Sequence, residues 1–103
     1  MVLLEGKEVC QMLDEPQKNL YMTRMTENLV ILRKKLKLTQ ADLAKRIGIS
    51  RQTLMDIENQ KRPMTWNVFM SLFGLFRENE DTSSLLSFYS ISTDELSKFI
   101  TNG

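Results

Sequence analysis

The side chains of this chain that could do chemistry are concentrated in its middle, and they are cations. Between Arg33 and Arg62 stand Arg33, Lys34, Lys35, Lys37, Lys45, Arg46, Arg51, Lys61 and Arg62, opposed only by Asp42, Asp56 and Glu58, a local net charge of +6. Residues 1–32 carry −2 and residues 63–103 carry −3, so the whole-chain charge of +1 conceals a basic centre between two acidic ends. Such a distribution offers a polyanion one place to dock. The competing reading is a helix with a solvated charged face, which is what most charge runs are, and charge alone does not separate the two.

Bond-making chemistry finds little to work with. The chain has no histidine, which removes the commonest general base and the Ser-His and Cys-His nucleophile pairs. Its single cysteine, Cys10, can form no internal disulfide, and one cysteine without histidine assembles no zinc site. The carboxylates and lysines are accompanied by no Gly-rich phosphate loop or other catalytic motif. We therefore expect no enzyme activity, no cofactor and no metal. An unexplained cofactor in the pure protein would revive the enzymatic reading.

The elements that must carry the cations follow from length and periodicity. With 103 residues, 42% of them hydrophobic, the chain suffices for one compact domain and a short appendage. No run of eighteen apolar residues occurs, and MVLLEGKEVCQML lacks the pattern of a signal peptide, so a cytoplasmic protein without membrane contact is expected. Residues 1–22 read as an N-terminal arm or accessory helix interrupted by Pro16. A first firm helix is expected from Thr23 or Thr26 to about Leu38, with Leu29, Leu32 and Leu36 as its buried stripe. Thr39 and Asp42 then form the acidic variant of a capping box, and Leu43, Ala44 and Ile47 face inward. Gly48 ends that helix, and Ser50 caps the next, Arg51 to about Asn59, after a turn of two residues. Short helices joined so tightly must cross steeply, which is a helix-turn-helix. Pro63 breaks the chain, and Thr65 caps a fourth helix to about Arg77. Two short helices near 83–90 and 93–101 follow, the latter with Ser92 and Glu95 as its capping box. No alternation long enough for a sheet appears.

The stretch LRKKLKLTQADLAKRIGISRQTLMDIENQKRP, with its flanking helices over about residues 26–76, resembles the XRE-type helix-turn-helix family of phage repressors, Cro proteins and their bacterial relatives. Several positions agree for separate physical reasons. Gln40 opens the first helix of the motif, Ala44 is small at the helix crossing, and Gly48 sits at the turn. Leu43, Ile47, Ile49, Leu54 and Ile57 supply the buried positions, and Ile57, Glu58 and Asn59 match the run that ends the second helix. The resemblance implies an all-α, lambda-repressor-like bundle of about five helices with a central helix-turn-helix. The domain boundaries expected are 1–22, 23–77 and a C-terminal helical extension at 78–103. One departure stands out: where the family often has glycine after the Glu-Asn pair, this chain has Gln60, so Asn59 or Gln60 must take a left-handed backbone.

The family lays its second motif helix in the major groove with the N-terminal residues against base edges. The resemblance thus implies a transcriptional regulator, most simply a repressor, that binds double-stranded DNA through Arg51 and Gln52, the first suited to guanine and the second to adenine. Met55 could touch a thymine methyl, and Asp56 could accept from cytosine N4 or repel wrong sequences. Gln40, Ser50, Asn59, Lys61 and Arg62 are the expected phosphate contacts, with Lys34, Lys35, Lys45 and Arg46 as weaker candidates. Arg33 and Glu58 match a paired Arg–Glu of the family and are expected to support the fold.

One recognition helix reads too few base pairs for a unique address, so a homodimer on two half-sites is expected. Its contact is placed after Pro63, because Trp66, Val68, Phe69, Met70, Leu72, Phe73, Leu75 and Phe76 spread around most of helix four. Residues 1–22 are the next candidate. The alternative is an antitoxin-type protein that binds DNA through this domain and a partner protein through a terminal extension.

Overall fold

The computed structural model describes residues 13–102, which form six α-helices. They are α1 (Glu15–Lys35), α2 (Gln40–Ile47), α3 (Arg51–Glu58), α4 (Trp66–Arg77), α5 (Glu80–Phe88) and α6 (Asp94–Asn102). Among the described residues there is no strand, and the architecture is the all-α bundle expected. The part of the expected N-terminal arm that precedes residue 13 lies outside the described residues.

The first helix starts earlier than Thr23. Asp14 is its N-cap, accepting from the Gln17 N–H at 2.9 Å, while the Gln17 side chain returns the bond to the Asp14 N–H at 3.0 Å. Pro16, expected to break a helix, instead sits in the first turn of this one, where no intrahelical donor is lost and its fixed φ suits the start. Thr26 is no cap either, because its hydroxyl donates to the Met22 carbonyl one turn back at 2.8 Å. The buried stripe of α1 is Tyr21, Met25, Leu29 and Leu32, at steps of four, four and three. The helix ends at the Leu36 C-cap, and Lys37 turns the chain with φ 59°.

The terminal helices also start differently from the expectation. Asn79 caps α5 by accepting from the Asp81 N–H at 2.8 Å, and Thr82 is drawn fully into the core, its hydroxyl donating to the Phe76 carbonyl. Thr93, not Ser92, stands before α6, accepting from the Leu96 N–H at 3.2 Å and the Ser97 N–H at 3.0 Å. Glu95 is therefore not a capping residue. Its carboxylate accepts from Gln17 at 2.6 Å and from the Tyr21 hydroxyl at 3.1 Å, fastening α6 to α1. Burial holds the Tyr21 hydroxyl above its ordinary pKa, so it stays a donor there.

One core runs through all six helices, and α4 is its axis. Phe69, Leu72, Phe73 and Phe76 are buried, with Phe69 stacked between Trp66 at 4.7 Å and Phe73 at 5.9 Å. The remaining apolar residues of α4 are half-buried and packed against this core. Trp66 is also met edge-on by Phe99 at 6.1 Å and covered by the Lys18 ammonium at 5.6 Å. The spread of apolar residues around α4, which motivated a dimer contact after Pro63, is thus largely taken up within the chain. Among the described residues the exposed large apolar side chains lie elsewhere: Leu20 and Ile31 on α1, and Phe88 at the end of α5.

Because Phe69 is fully buried between aromatic neighbours, Phe69→Ala should destabilise the fold by about 3–5 kcal/mol. Urea unfolding followed by circular dichroism measures this. A loss below about 1 kcal/mol would show that α4 is not the axis of the core.

Candidate nucleic-acid interface

The geometry of the basic centre is set by two capped helices and a glycine turn. Thr39 caps α2, accepting from the Asp42 N–H at 3.0 Å, and Asp42 accepts from the Thr39 N–H at 3.2 Å. The Thr39 hydroxyl first, then its N–H, hold the Asp42 carboxyl below the usual carboxylate range. Gly48 ends α2 at φ 79°, ψ 31°, a backbone that residues with a Cβ avoid. The Gly48 and Ile49 N–H groups both return to the Ala44 carbonyl. Ser50 then caps α3, accepting from the Thr53 N–H at 3.0 Å. Leu43, Ala44, Leu54 and Ile57 are buried, so the two helices cross over their own apolar faces.

That packing leaves the start of α3 outward. Arg51 and Gln52 are exposed, while Met55 and Asp56 are half-buried one turn on. Gln52 Nε2 donates to Asp56 Oδ1 at 2.9 Å, and Arg62 Nη2 approaches Asp56 Oδ2 at 4.0 Å. One N–H and the amide oxygen of Gln52 remain, which is the pair that bidentate recognition of adenine uses. Asp56 therefore positions Gln52 and faces Arg62. The sequence reading missed this role, although the i, i+4 spacing of Gln52 and Asp56 was a signal for it.

The loop after α3 curls back onto its own helix. The Lys61 N–H bonds the Asp56 carbonyl at 2.7 Å, and the Arg62 N–H reaches the same oxygen at 3.3 Å. Gln60 takes the left-handed position at φ 60°, while Asn59 stays at φ −88°. A side chain at such a φ costs about 1–2 kcal/mol. Asn59, Lys61 and Arg62 are all exposed beside the start of the loop. Ser50 is exposed too, but its hydroxyl donates to Thr53 Oγ1 at 2.8 Å and serves the cap. Lys34, Lys35, Lys45 and Arg46 are exposed.

Beneath this surface lies an ionic joint. Arg33 Nε donates to Glu58 Oε2 at 2.7 Å and Arg33 Nη2 to Glu58 Oε1 at 3.2 Å, with side-chain exposures of only 11% and 3%. Arg33 Nη1 also donates to the Leu38 carbonyl at 3.0 Å, and Gln40 Nε2 donates to Glu58 Oε1 at 2.9 Å. The structure thus brings Arg33, Gln40 and Glu58 together and ties α1, the α1–α2 loop, α2 and α3 at one point. Gln40 keeps a second N–H at the N-terminus of α2, where backbone donors favour an anion. No group of metal-ligating side chains occurs among the described residues, and no described helix is long and apolar enough to cross a membrane.

Arg33→Met would strand the nearly buried Glu58 carboxylate, so it should destabilise the fold by about 3–5 kcal/mol. Thermal and urea unfolding measure the loss. Unchanged unfolding together with lost DNA binding would instead place Arg33 among the base-reading residues.

Residues 29–65, from the buried half of α1 to the cap of α4, match the family model described as Helix-turn-helix. Nothing among curated proteins or solved structures matches the chain. The matched span contains the capped helix pair, the glycine turn, the ionic joint and the basic loop. Across residues 29–65 the chain is therefore similar to the helix-turn-helix domains of DNA-binding regulators.

Proposed function

We propose that the protein is a sequence-specific double-stranded DNA-binding repressor that reads the major groove with the N-terminal turn of α3. The observation that carries this reading is the exposed pair Arg51 and Gln52 at the start of α3, with the Gln52 amide aimed by Asp56. Arg51 takes guanine O6 and N7, and Gln52 takes adenine N6 and N7. Met55 sits deeper and meets a thymine methyl. Phosphates are held by Gln40 and the α2 N-terminus on one side and by Asn59, Lys61 and Arg62 on the other. The segment's charge of +6 supports both contacts. Ser50 contributes to this surface as the cap that presents Arg51 and Gln52. One α3 covers only a few base pairs, so the working form is a homodimer on two half-sites about 34–36 Å apart. A domain of this size acts most simply by occupying the site and excluding other proteins from it.

Selection of bound sites from a random DNA pool, at fixed salt, tests the reading directly. A two-fold related pair of half-sites should be enriched, and the absence of any enriched sequence would sink it. Arg51→Ala or Gln52→Ala should weaken the selected site by about 1–3 kcal/mol and relax choice at one base position in each half. Lys61→Ala should weaken all sequences alike and reduce the salt slope by about one. Equal losses on specific and non-specific DNA in both α3 variants would remove Arg51 and Gln52 from base recognition.

A further inference from the structure

The outer face of α1 carries a pattern that no part of the DNA reading uses. Leu20, Arg24, Glu27 and Ile31 follow one another at steps of four, three and four, so they form a single stripe on a side of α1 away from the buried one. Leu20 is 48% and Ile31 51% exposed, and they are the only large apolar side chains of α1 so placed. They lie roughly 16 Å apart along the helix axis. Glu27 is exposed, and the ion pairs among the described residues, Arg33–Glu58 and Arg62–Asp56, leave it out. Arg24 is half-buried, donates Nη1 to the Ser90 carbonyl at 2.8 Å and lies over the Tyr21 ring at 5.9 Å, which holds its guanidinium at the edge of the stripe nearest Ser90 with other donors left.

Read from either end, the stripe is apolar, charged, charged, apolar, and its charges change sign on reversal. A two-fold axis crossing α1 between Met25 and Thr26 sets Leu20 level with the partner's Ile31 and Arg24 level with the partner's Glu27. Apolar ends meet apolar ends, and each cation meets an anion. That is the self-complementarity an isologous contact requires, and an arbitrary partner protein would not demand it. We propose that the homodimer is held by this face, α1 packing antiparallel against α1 of a second copy, rather than by the region after Pro63. A single helix pair is a small interface by the standard of about 800 Å² per partner, so the dimer is concentration-dependent.

The inference rests on the dimeric reading given above, and its test separates the two. The mass of the full chain is followed by analytical ultracentrifugation over a concentration series, without DNA. Glu27→Arg places like charges opposite each other and should raise the dimer dissociation constant at least about tenfold. The swap Arg24→Glu with Glu27→Arg restores opposite pairs and should recover dimerisation relative to either single variant. Circular dichroism establishes that each variant is folded, which matters because Arg24→Glu also loses its bond to Ser90. A dimer indifferent to Glu27→Arg, or a folded swap no better than the singles, overturns this interface alone. A wild-type chain that stays monomeric throughout overturns the interface and the dimeric reading together, and leaves the stripe to a different protein.

Discussion

The carboxylate of Glu58 is the point on which the arrangement of the helix-turn-helix depends. It ends α3, lies almost out of contact with water, and accepts from Arg33 of α1 and Gln40 of α2. Apolar packing of Leu43, Ala44, Leu54 and Ile57 and the Gly48 turn set how α2 and α3 cross. Three directed hydrogen bonds to one carboxylate then fix that pair relative to α1. The Arg33 guanidinium reaches the Leu38 carbonyl as well, so the loop between α1 and α2 is held by the same group. The net stability such a pair adds over well-packed apolar residues is small, whereas its loss on one side is expensive. Its value here is geometrical.

The consequence of a fixed crossing is an exposed polar surface whose parts are already held by their neighbours. Asp56 aims Gln52, the Asp56 carbonyl gathers the backbone of Lys61 and Arg62, and the Ser50 hydroxyl is committed to Thr53. Side chains held by neighbours lose less freedom on binding, which leaves more of the contact energy for discrimination. The left-handed Gln60 belongs to the same economy of position. Its strained backbone is what folds the loop sharply enough to return the Lys61 N–H to α3.

The second long-range constraint runs from α1 to the C-terminal helix. Glu95 accepts from Gln17 and Tyr21, and Phe99 closes over Trp66, so α6 completes the core around α4. This closure changes how the surface is read. With the aromatic side of α4 covered from within, the large apolar residues left outside are few among the described residues. Those on α1 sit in a stripe whose charges complement their own reverse.

Much of the helix-turn-helix is legible in the chain, because its signals are local. Thr39 with Asp42, Gly48, Ser50 and Thr65 are capping and turn residues whose partners lie within four positions, and each occupies the expected place. The basic centre and the absence of histidine likewise follow from the sequence without geometry. What the sequence left undecided was every choice between alternatives of equal local merit. The start of α1 is an exception, because Asp14, Gln17 and Pro16 form a local signal upstream of Thr23 and Thr26 that the spacing of the apolar stripe did not bring out. Ser92 and Thr93 can both precede α6, and the capture of Glu95 by α1 removes its capping partner. The spread of apolar residues around α4 is a fact of sequence, but whether its own chain or a second copy covers it depends on where α1, α5 and α6 come to rest. Capping and turn preferences act over one helical turn, so the chain specifies them alone. Burial is a property of neighbours far apart in sequence, and only the tertiary structure assigns it.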